Sequence, residues 1–287
     1  MDSVYEIEVF PFNTPPVVEL VLANPYGNTG TYYYMHGLAS WDRETGYFDR
    51  ILRWDLDGDG IWEEEHNDQY EVWTNYDQPG KYPITLQITD EQGKSTAKTD
   101  TIYVFSGNRT TALLEDRRGS PIPKYYGAVL IGNTWWTQNN SKYVPPQGPP
   151  TPPGSYSVNA YMGQEDSVFK YGYLYPYAAL EKDFPACPKG WRIPSVEDWE
   201  QLLEDLAPNN NISDLLFGGS SELHLFLTGH YVFGRYEGKG RVVHYYTTDK
   251  SAQGHVYLWY IDKVLNKNKA VLANSGYRVP VRCVKDN

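Results

Sequence analysis

The chain has 287 residues, with 36 Asp and Glu against 25 Lys and Arg and a formal net charge of −11. That length has room for two domains with real cores. The charge excludes nucleic acid as a partner, because a phosphate backbone needs a basic footprint. No apolar run approaches the length of a bilayer span, which excludes a transmembrane segment. Met1-Asp2 reads as the start of a chain from which a targeting segment has been removed. Tyrosine is abundant, 26 residues against 3 Met. Rings with wet hydroxyls suit strands, half-exposed surfaces and platforms for sugars or protein partners.

In chain order, Val4, Glu6, Glu8 and Phe10 alternate and predict a strand in an acidic lead-in. Pro15-Pro16 then opens a series of segments rich in Val, Ile, Thr and Tyr, at 17–22, 31–35, 47–54, 70–74, 82–89 and 99–105. Turn signals such as Gln78-Pro79-Gly80 and Asp90-Glu91-Gln92-Gly93 separate them. Short strands at this spacing predict an antiparallel sandwich. In the fifth segment Tyr82, Ile84, Leu86 and Ile88 face one way, and Thr85, Gln87 and Thr89 the other.

Asp55-Leu-Asp57-Gly-Asp59-Gly60 places three carboxylates at alternate positions with glycine sixth, the first half of a calcium loop. The twelfth position is His66, not Glu. Calcium binding here therefore draws its further carboxylate from Glu63, Glu64 or Glu65, with Glu63 the expected ligand. A solvated Asp-Gly turn joining two strands is the other reading.

Ser40-Trp-Asp42, Arg53-Trp-Asp-Leu-Asp-Gly-Asp-Gly60 and the run from Tyr76 to Asp90 together resemble a polycystic-kidney-disease (PKD) domain. The resemblance covers about residues 14 to 106 and implies an Ig-like β-sandwich over 1–106. It further implies a module that presents or spaces other domains.

Residues 110–123 read as a polar, basic connector. The Pro-rich insertion at 144–154 reads as a stiff polyproline surface loop, or as a ligand for recognition modules. The most sharply punctuated stretch is 186–203. Pro194 keeps Ile193 out of the helical region, so Ser195 can cap a helix with Asp198 as capping-box partner. Val196, Trp199, Leu202, Leu203 and Leu206 follow at helical spacing, opposite Glu197, Glu200, Gln201, Glu204 and Asp205, and Pro208 ends the helix. Further β segments are predicted at 223–231, 240–248, 256–262 and 278–284.

Cys187-Pro-Lys-Gly-Trp-Arg-Ile-Pro-Ser195 followed by an acidic residue and Trp199 resembles the signature of the Fibrobacter succinogenes major paralogous domain. Ile131-Gly-Asn-Thr-Trp-Trp-Thr-Gln-Asn-Asn140 and Gly276-Tyr-Arg-Val-Pro-Val-Arg-Cys-Val-Lys-Asp286 are similar to its early and closing strands. The Arg-Ile-Pro-Ser helix start is also similar to that of C-type-lectin-like and formylglycine-generating-enzyme domains. The resemblance implies a C-type-lectin-like α+β domain over 107–287. Both cysteines, Cys187 and Cys283, fall within these motifs, and a disulfide between them implies an oxidising compartment. Two buried thiols in a cytosolic protein are the alternative. Trp135, Trp136 and Trp191 also lie in the motifs and read as core.

Catalysis finds little support. The six histidines are scattered with no metal-ligand spacing, and no Gly-x-Ser-x-Gly elbow occurs. The formylglycine-generating relatives use reactive cysteines, a role this pair does not suit. The sugar-site motifs of C-type lectins are absent, Trp259-Tyr-Ile-Asp262 being a poor substitute.

The expected protein is mostly β with some α, an Ig-like β-sandwich followed by a C-type-lectin-like α+β domain. Its expected role is non-catalytic binding or adhesion, directed at a glycan or a surface protein, with calcium as the candidate cation. It is expected to be exported, as a bacterial surface lipoprotein anchored upstream of this stretch or as a periplasmic protein. The alternative is an accessory or catalytic component of polysaccharide processing.

Overall fold

The computed structural model describes residues 12–46, 49–118, 123–144, 158–164, 168–180, 186–207, 211–273 and 276–287. The strand expected at residues 4–10, almost all of the Pro-rich insertion and the helix stop at Pro208 lie outside the described residues. The chain is mostly β and divides into two compact units. The first comprises Met1–Leu22, Tyr33–Thr74 and Gly80–Tyr103, and the second Ala23–Tyr32, Asn75–Pro79 and Val104–Asn287. No helix among the described residues is long and apolar enough to cross a membrane.

The first eight strands are β1 (Val21–Leu22), β2 (Tyr26–Asn28), β3 (Tyr33–His36), β4 (Ile51–Asp55), β5 (Glu64–His66), β6 (Glu71–Thr74), β7 (Gly80–Thr89) and β8 (Ser95–Phe105). In the first unit β1, β3 and β6 form one antiparallel sheet, while β5, β4, β7 and β8 lie side by side in another. Strand β7 keeps the expected alternation: Ile84, Leu86 and Ile88 are wholly buried, with Thr85, Gln87 and Thr89 half-buried between them. The register sets Leu52 beside Ile88 and Trp54 beside Leu86, so one inner face becomes continuous apolar surface. The other sheet answers with Leu22, Tyr33, Met35 and Val72, all buried. Just after β3, a Cβ at Gly37 would lie 2.6 Å from Leu86 Cδ2, so any larger residue there would have to displace the buried Leu86 side chain.

In the second unit come β9 (Thr111–Asp116), β10 (Lys124–Ile131), β11 (Thr134–Thr137), β12 (Tyr175–Pro176), β13 (His230–Val232), β14 (Arg235–Glu237), β15 (Val242–Lys250), β16 (Val256–Asp262), β17 (Lys267–Leu272), β18 (Arg278–Val279) and β19 (Val284–Asp286). They form three sheets, ordered β19-β11-β10-β9, β12-β18-β13-β14 and β15-β16-β17. Among the described residues they are accompanied by a 3-10 turn (Tyr161–Gly163) and four α-helices: single turns α1 (Val168–Tyr171), α2 (Tyr177–Leu180) and α4 (Ile212–Leu215), and the longer α3 (Val196–Asp205).

Several expectations are corrected. The connector expected at 110–123 contains β9, paired with β10 from Thr111↔Val129 to Asp116↔Lys124. Its polar composition is that of an edge strand, which must not present an apolar rim. In the segment at 223–231 a continuous strand begins only at His230: before it His224 stands at φ 54°, and Leu225 and Gly229 make isolated bridges. The single strand expected at 278–284 is split. Pro280 has no N–H for a ladder, and β18 and β19 join different sheets on either side of the break.

Helix α3 starts as its sequence requires. Ser195 is extended (φ −80°, ψ 171°), its hydroxyl accepts from the Asp198 N–H, and Asp198 accepts from the Ser195 N–H, a complete capping box. Trp199, Leu202 and Leu206 are buried, and Glu197, Glu200, Gln201, Glu204 and Asp205 are exposed. Ser195→Ala is expected to cost about 1 kcal/mol, the usual loss of an N-cap. Chemical denaturation of the full chain checks this, and an unchanged midpoint would remove the cap from the account.

The buried face of α3 meets Val129, Ile131, Trp136, Val243, Tyr245, Trp259 and Ile261 in one cluster. A second cluster surrounds Cys187 and Cys283, which are joined by a disulfide, with Tyr175, Tyr246, Leu258, Val279 and Val281 around it.

Candidate functional site

The acidic loop hangs between β4 and β5, so two paired strands fix its ends. Asp55 closes the last position of β4 and is buried, whereas Asp57, Asp59 and Glu63 are exposed. Asp55 Oδ1 accepts from the N–H groups of Gly58 (2.6 Å) and Asp57 (3.3 Å), and Oδ2 from Gly60 (3.1 Å). Asp57 accepts from Asp59, Asp59 from Ile61, and Glu63 from Leu56. Gly58 and Gly60 stand at φ 83° and 86°, a conformation that admits this winding at no steric cost. One oxygen from each of Asp55, Asp57, Asp59 and Glu63 lies within 4.8 Å of the others. Four converging carboxylates make an oxygen-only donor set, suited to a hard cation with loose coordination demands. His66 is drawn aside, its Nε2 2.8 Å from Glu64. The same hydrogen bonds also close the loop as a plain turn, so geometry alone accommodates both sequence readings.

A second arrangement lies in the second unit. Leu114, Glu115, Asp116, Arg117 and Arg118, at the end of β9 and just beyond it, face the turn carrying Pro188, Lys189 and Trp191 across an open depression of about 480 Å³. That turn is tight. The Trp191 N–H donates to the Pro188 carbonyl, and Gly190 sits at φ 81°. It is also braced on both sides: Cys187 is bonded to Cys283, and Arg192 pairs with Val284 through two backbone hydrogen bonds of 2.9 and 2.8 Å. Trp191 is half-buried, packing against the Cys187 cluster while also lining the depression. The core role expected for it is thus half of its role. Trp136 is fully core, and Trp135 is half-buried with its Nε1–H on Asn287. Across the depression Arg118 Nε and Nη2 hold the two oxygens of buried Asp116 at 2.7 Å each, and Arg117 pairs with Glu115. Nothing in the sequence signals this site, because its two walls are far apart in the chain.

Two of the six scattered histidines meet. His230 of β13 and His244 of β15 have ring centroids 4.8 Å apart, edge to face, with His230 stacked on Tyr277 and His244 tilted against Tyr260. Both Nδ1 atoms are buried and have no hydrogen-bond partner among the described residues. Burial lowers the pKa of both, opposed at His230 by Glu237. His244 falls to about 3, with the neighbouring His230 adding to the effect. Unfolded, both would titrate near 6.5. Their neutral burial therefore carries no penalty above pH 6.5, and stability is lost as pH falls from 6.5 towards about 3. Thermal melts of the full chain at pH 7.5, 5.5 and 4.5 should show a progressive fall that His244→Phe reduces. An equal fall in that variant would place the acid sensitivity elsewhere.

No curated protein matches this chain. A solved structure described as the basis for the promiscuous specificity of carbohydrate-binding modules from the β-sandwich superfamily aligns over 96% of this chain and 95% of its own. It does so at 11% identity and a TM-score of 0.31, a likeness too slight to bear on fold or function. The family model of the Fibrobacter succinogenes major domain matches residues 129–285, more than half of the chain. The motifs around Ile131 and Cys187 fall within that span, as does all but the last residue of the one around Cys283, and the chain belongs to the Fibrobacter succinogenes major domain family.

Proposed function

We propose that this is a non-catalytic binding protein of the bacterial cell surface or periplasm and that its ligand is a glycan. The observation that carries the reading is the depression beside Trp191. It is concave, its volume lies in the range of roughly 300–1,000 Å³ usual for small-molecule sites, and one wall is a half-exposed indole. An aromatic face of that kind offers apolar surface to the C–H face of a sugar ring, while polar neighbours meet its hydroxyls. The Cys187–Cys283 bond supports an oxidising compartment and hence export. The proposal includes an Ig-like, PKD-type sandwich over 1–106 and a C-type-lectin-like domain over 107–287. In the first, the two packed sheets and the alternation of β7 are the supporting features. A glycan panel read by both binding and product release tests the function. Binding without turnover agrees with it, turnover favours the polysaccharide-processing alternative, and silence in both removes glycans from the account.

A second reading concerns the acidic loop. We propose that Asp55, Asp57, Asp59 and Glu63 hold calcium, which stabilises the first unit. Four clustered carboxylates repel one another without a cation, so a bound ion should raise stability by mass action. Calcium should outdo magnesium, which demands a tighter octahedral shell. At a free concentration about 100 times Kd the gain would be about 2.7 kcal/mol. Melting curves in millimolar calcium and in chelator should separate for the natural sequence and superimpose for Asp57→Ala. Superimposed curves for the natural sequence would leave the run as a turn.

A further inference from the structure

The same depression carries information about the class of sugar. The chain is acidic overall, at −11, yet this site gathers three cations, Arg117, Arg118 and Lys189, against two carboxylates. Both carboxylates are engaged: Asp116 is buried under the Arg118 fork, and Glu115 is paired with Arg117. Lys189 is exposed and has no carboxylate partner among the described residues. It sits at the outer corner of the turn that also presents Trp191, so one short, braced segment offers an indole face and an ammonium together. Arg117 is also exposed on the opposite rim, and its partner Glu115 is itself wet, so an incoming anion can exchange for Glu115 at little cost. The disulfide on one side of the turn and the Arg192–Val284 pairing on the other hold these groups before any ligand arrives. That reduces the ordering cost of binding.

We infer that the depression selects acidic saccharides, specifically a uronic acid unit whose ring lies on Trp191 and whose carboxylate is met by Lys189 and Arg117. The inference rests on the glycan-binding reading and narrows it. A neutral sugar would gain the indole face but leave the surplus positive charge unanswered. A carboxylate gains charge-assisted hydrogen bonds, which the planar Arg fork can make bidentate.

The test is calorimetric titration of the full chain with trigalacturonic acid, its methyl ester and a neutral galactose oligomer. Chelator is present throughout, so that a cation on the Asp55 loop plays no part. The acid should bind about tenfold tighter than the ester, and Lys189→Gln should remove about that factor. Arg117→Gln should act in the same direction, and added salt should weaken the acid but not the ester. Lys189 and Arg117 are exposed, so neither variant threatens folding. Trp191→Phe should weaken acid and ester alike, as loss of a shared ring contact. If acid and ester bind equally, the selectivity inference falls and the glycan reading stands. If the acid binds but both charge variants are neutral, the assignment to this depression falls. If no oligomer binds while other members of a wider glycan panel do, uronate selectivity is wrong; if nothing binds at all, both readings are wrong.

Discussion

Removing the Cys187–Cys283 bond is expected to be among the most damaging changes this chain can suffer. The bond spans 96 residues of sequence, and closing a loop of that length restricts the unfolded chain by about 4–5 kcal/mol in the chain-entropy model. For a unit of this size that corresponds to roughly 10–15 °C in thermal midpoint. The double substitution Cys187→Ala, Cys283→Ala and simple reduction should produce similar shifts. Both cysteines are buried, so small cavities add to the loss in the double variant. The bond also braces the turn that presents Lys189 and Trp191. If the proposed glycan binding holds, affinity should therefore weaken on reduction at temperatures where the unit remains folded. Mass spectrometry of the protein isolated from its native source provides the direct check. Two thiols there, together with an unmoved melting curve on reduction, would sink the bond and the argument for an oxidising compartment.

The second large effect is expected at Trp199. It is fully buried, its ring stacks on Trp259 at 5.7 Å with an interplanar angle of 3°, and Tyr245 and Trp136 lie at 5.3 and 4.7 Å. Trp199→Ala should cost about 3–5 kcal/mol, from lost transfer energy and from a cavity the surrounding rings cannot fill. Trp199→Phe should cost much less. It keeps a stacking ring, and it deletes an indole N–H that is buried with no hydrogen-bond partner among the described residues. Equilibrium denaturation of the two variants should separate them clearly. A Trp199→Ala loss no larger than that of exposed Glu200→Ala would mean that α3 is not the keystone of this core.

Local chemistry was legible wherever a few adjacent residues decide the outcome. The capping box at Ser195 and Asp198, the buried row Ile84, Leu86 and Ile88, and the amphipathic face of α3 each rest on steric and hydrogen-bonding rules spanning at most a few turns. The acidic loop belongs to the same class: alternate Asp residues with Gly58 and Gly60 wind back on themselves, and their oxygens converge without help from distant chain. Its neighbour His66 turns to Glu64.

Other features depended on what the fold brings together. Strand β9 reads as connector because an edge strand has one paired side and can be polar; only its alignment with β10 makes it a strand. Lys267-Asn-Lys-Ala-Val-Leu272 of β17 is weak in strand formers and is extended because it completes the ladder beside β16. Arg282, with no exposed surface, donates from Nη1 to the carbonyls of Thr137 and Leu223, partners lying 145 and 59 residues away. His230 meets His244, and the end of β9 meets Pro188-Lys-Gly-Trp191, by the same kind of long-range placement. The sequence by itself determined the local conformers, the buried faces and the acidic loop, because each is encoded within a few residues. Only the tertiary structure decided which walls face one another across a depression, because that depends on strand order and register, which bring distant residues together.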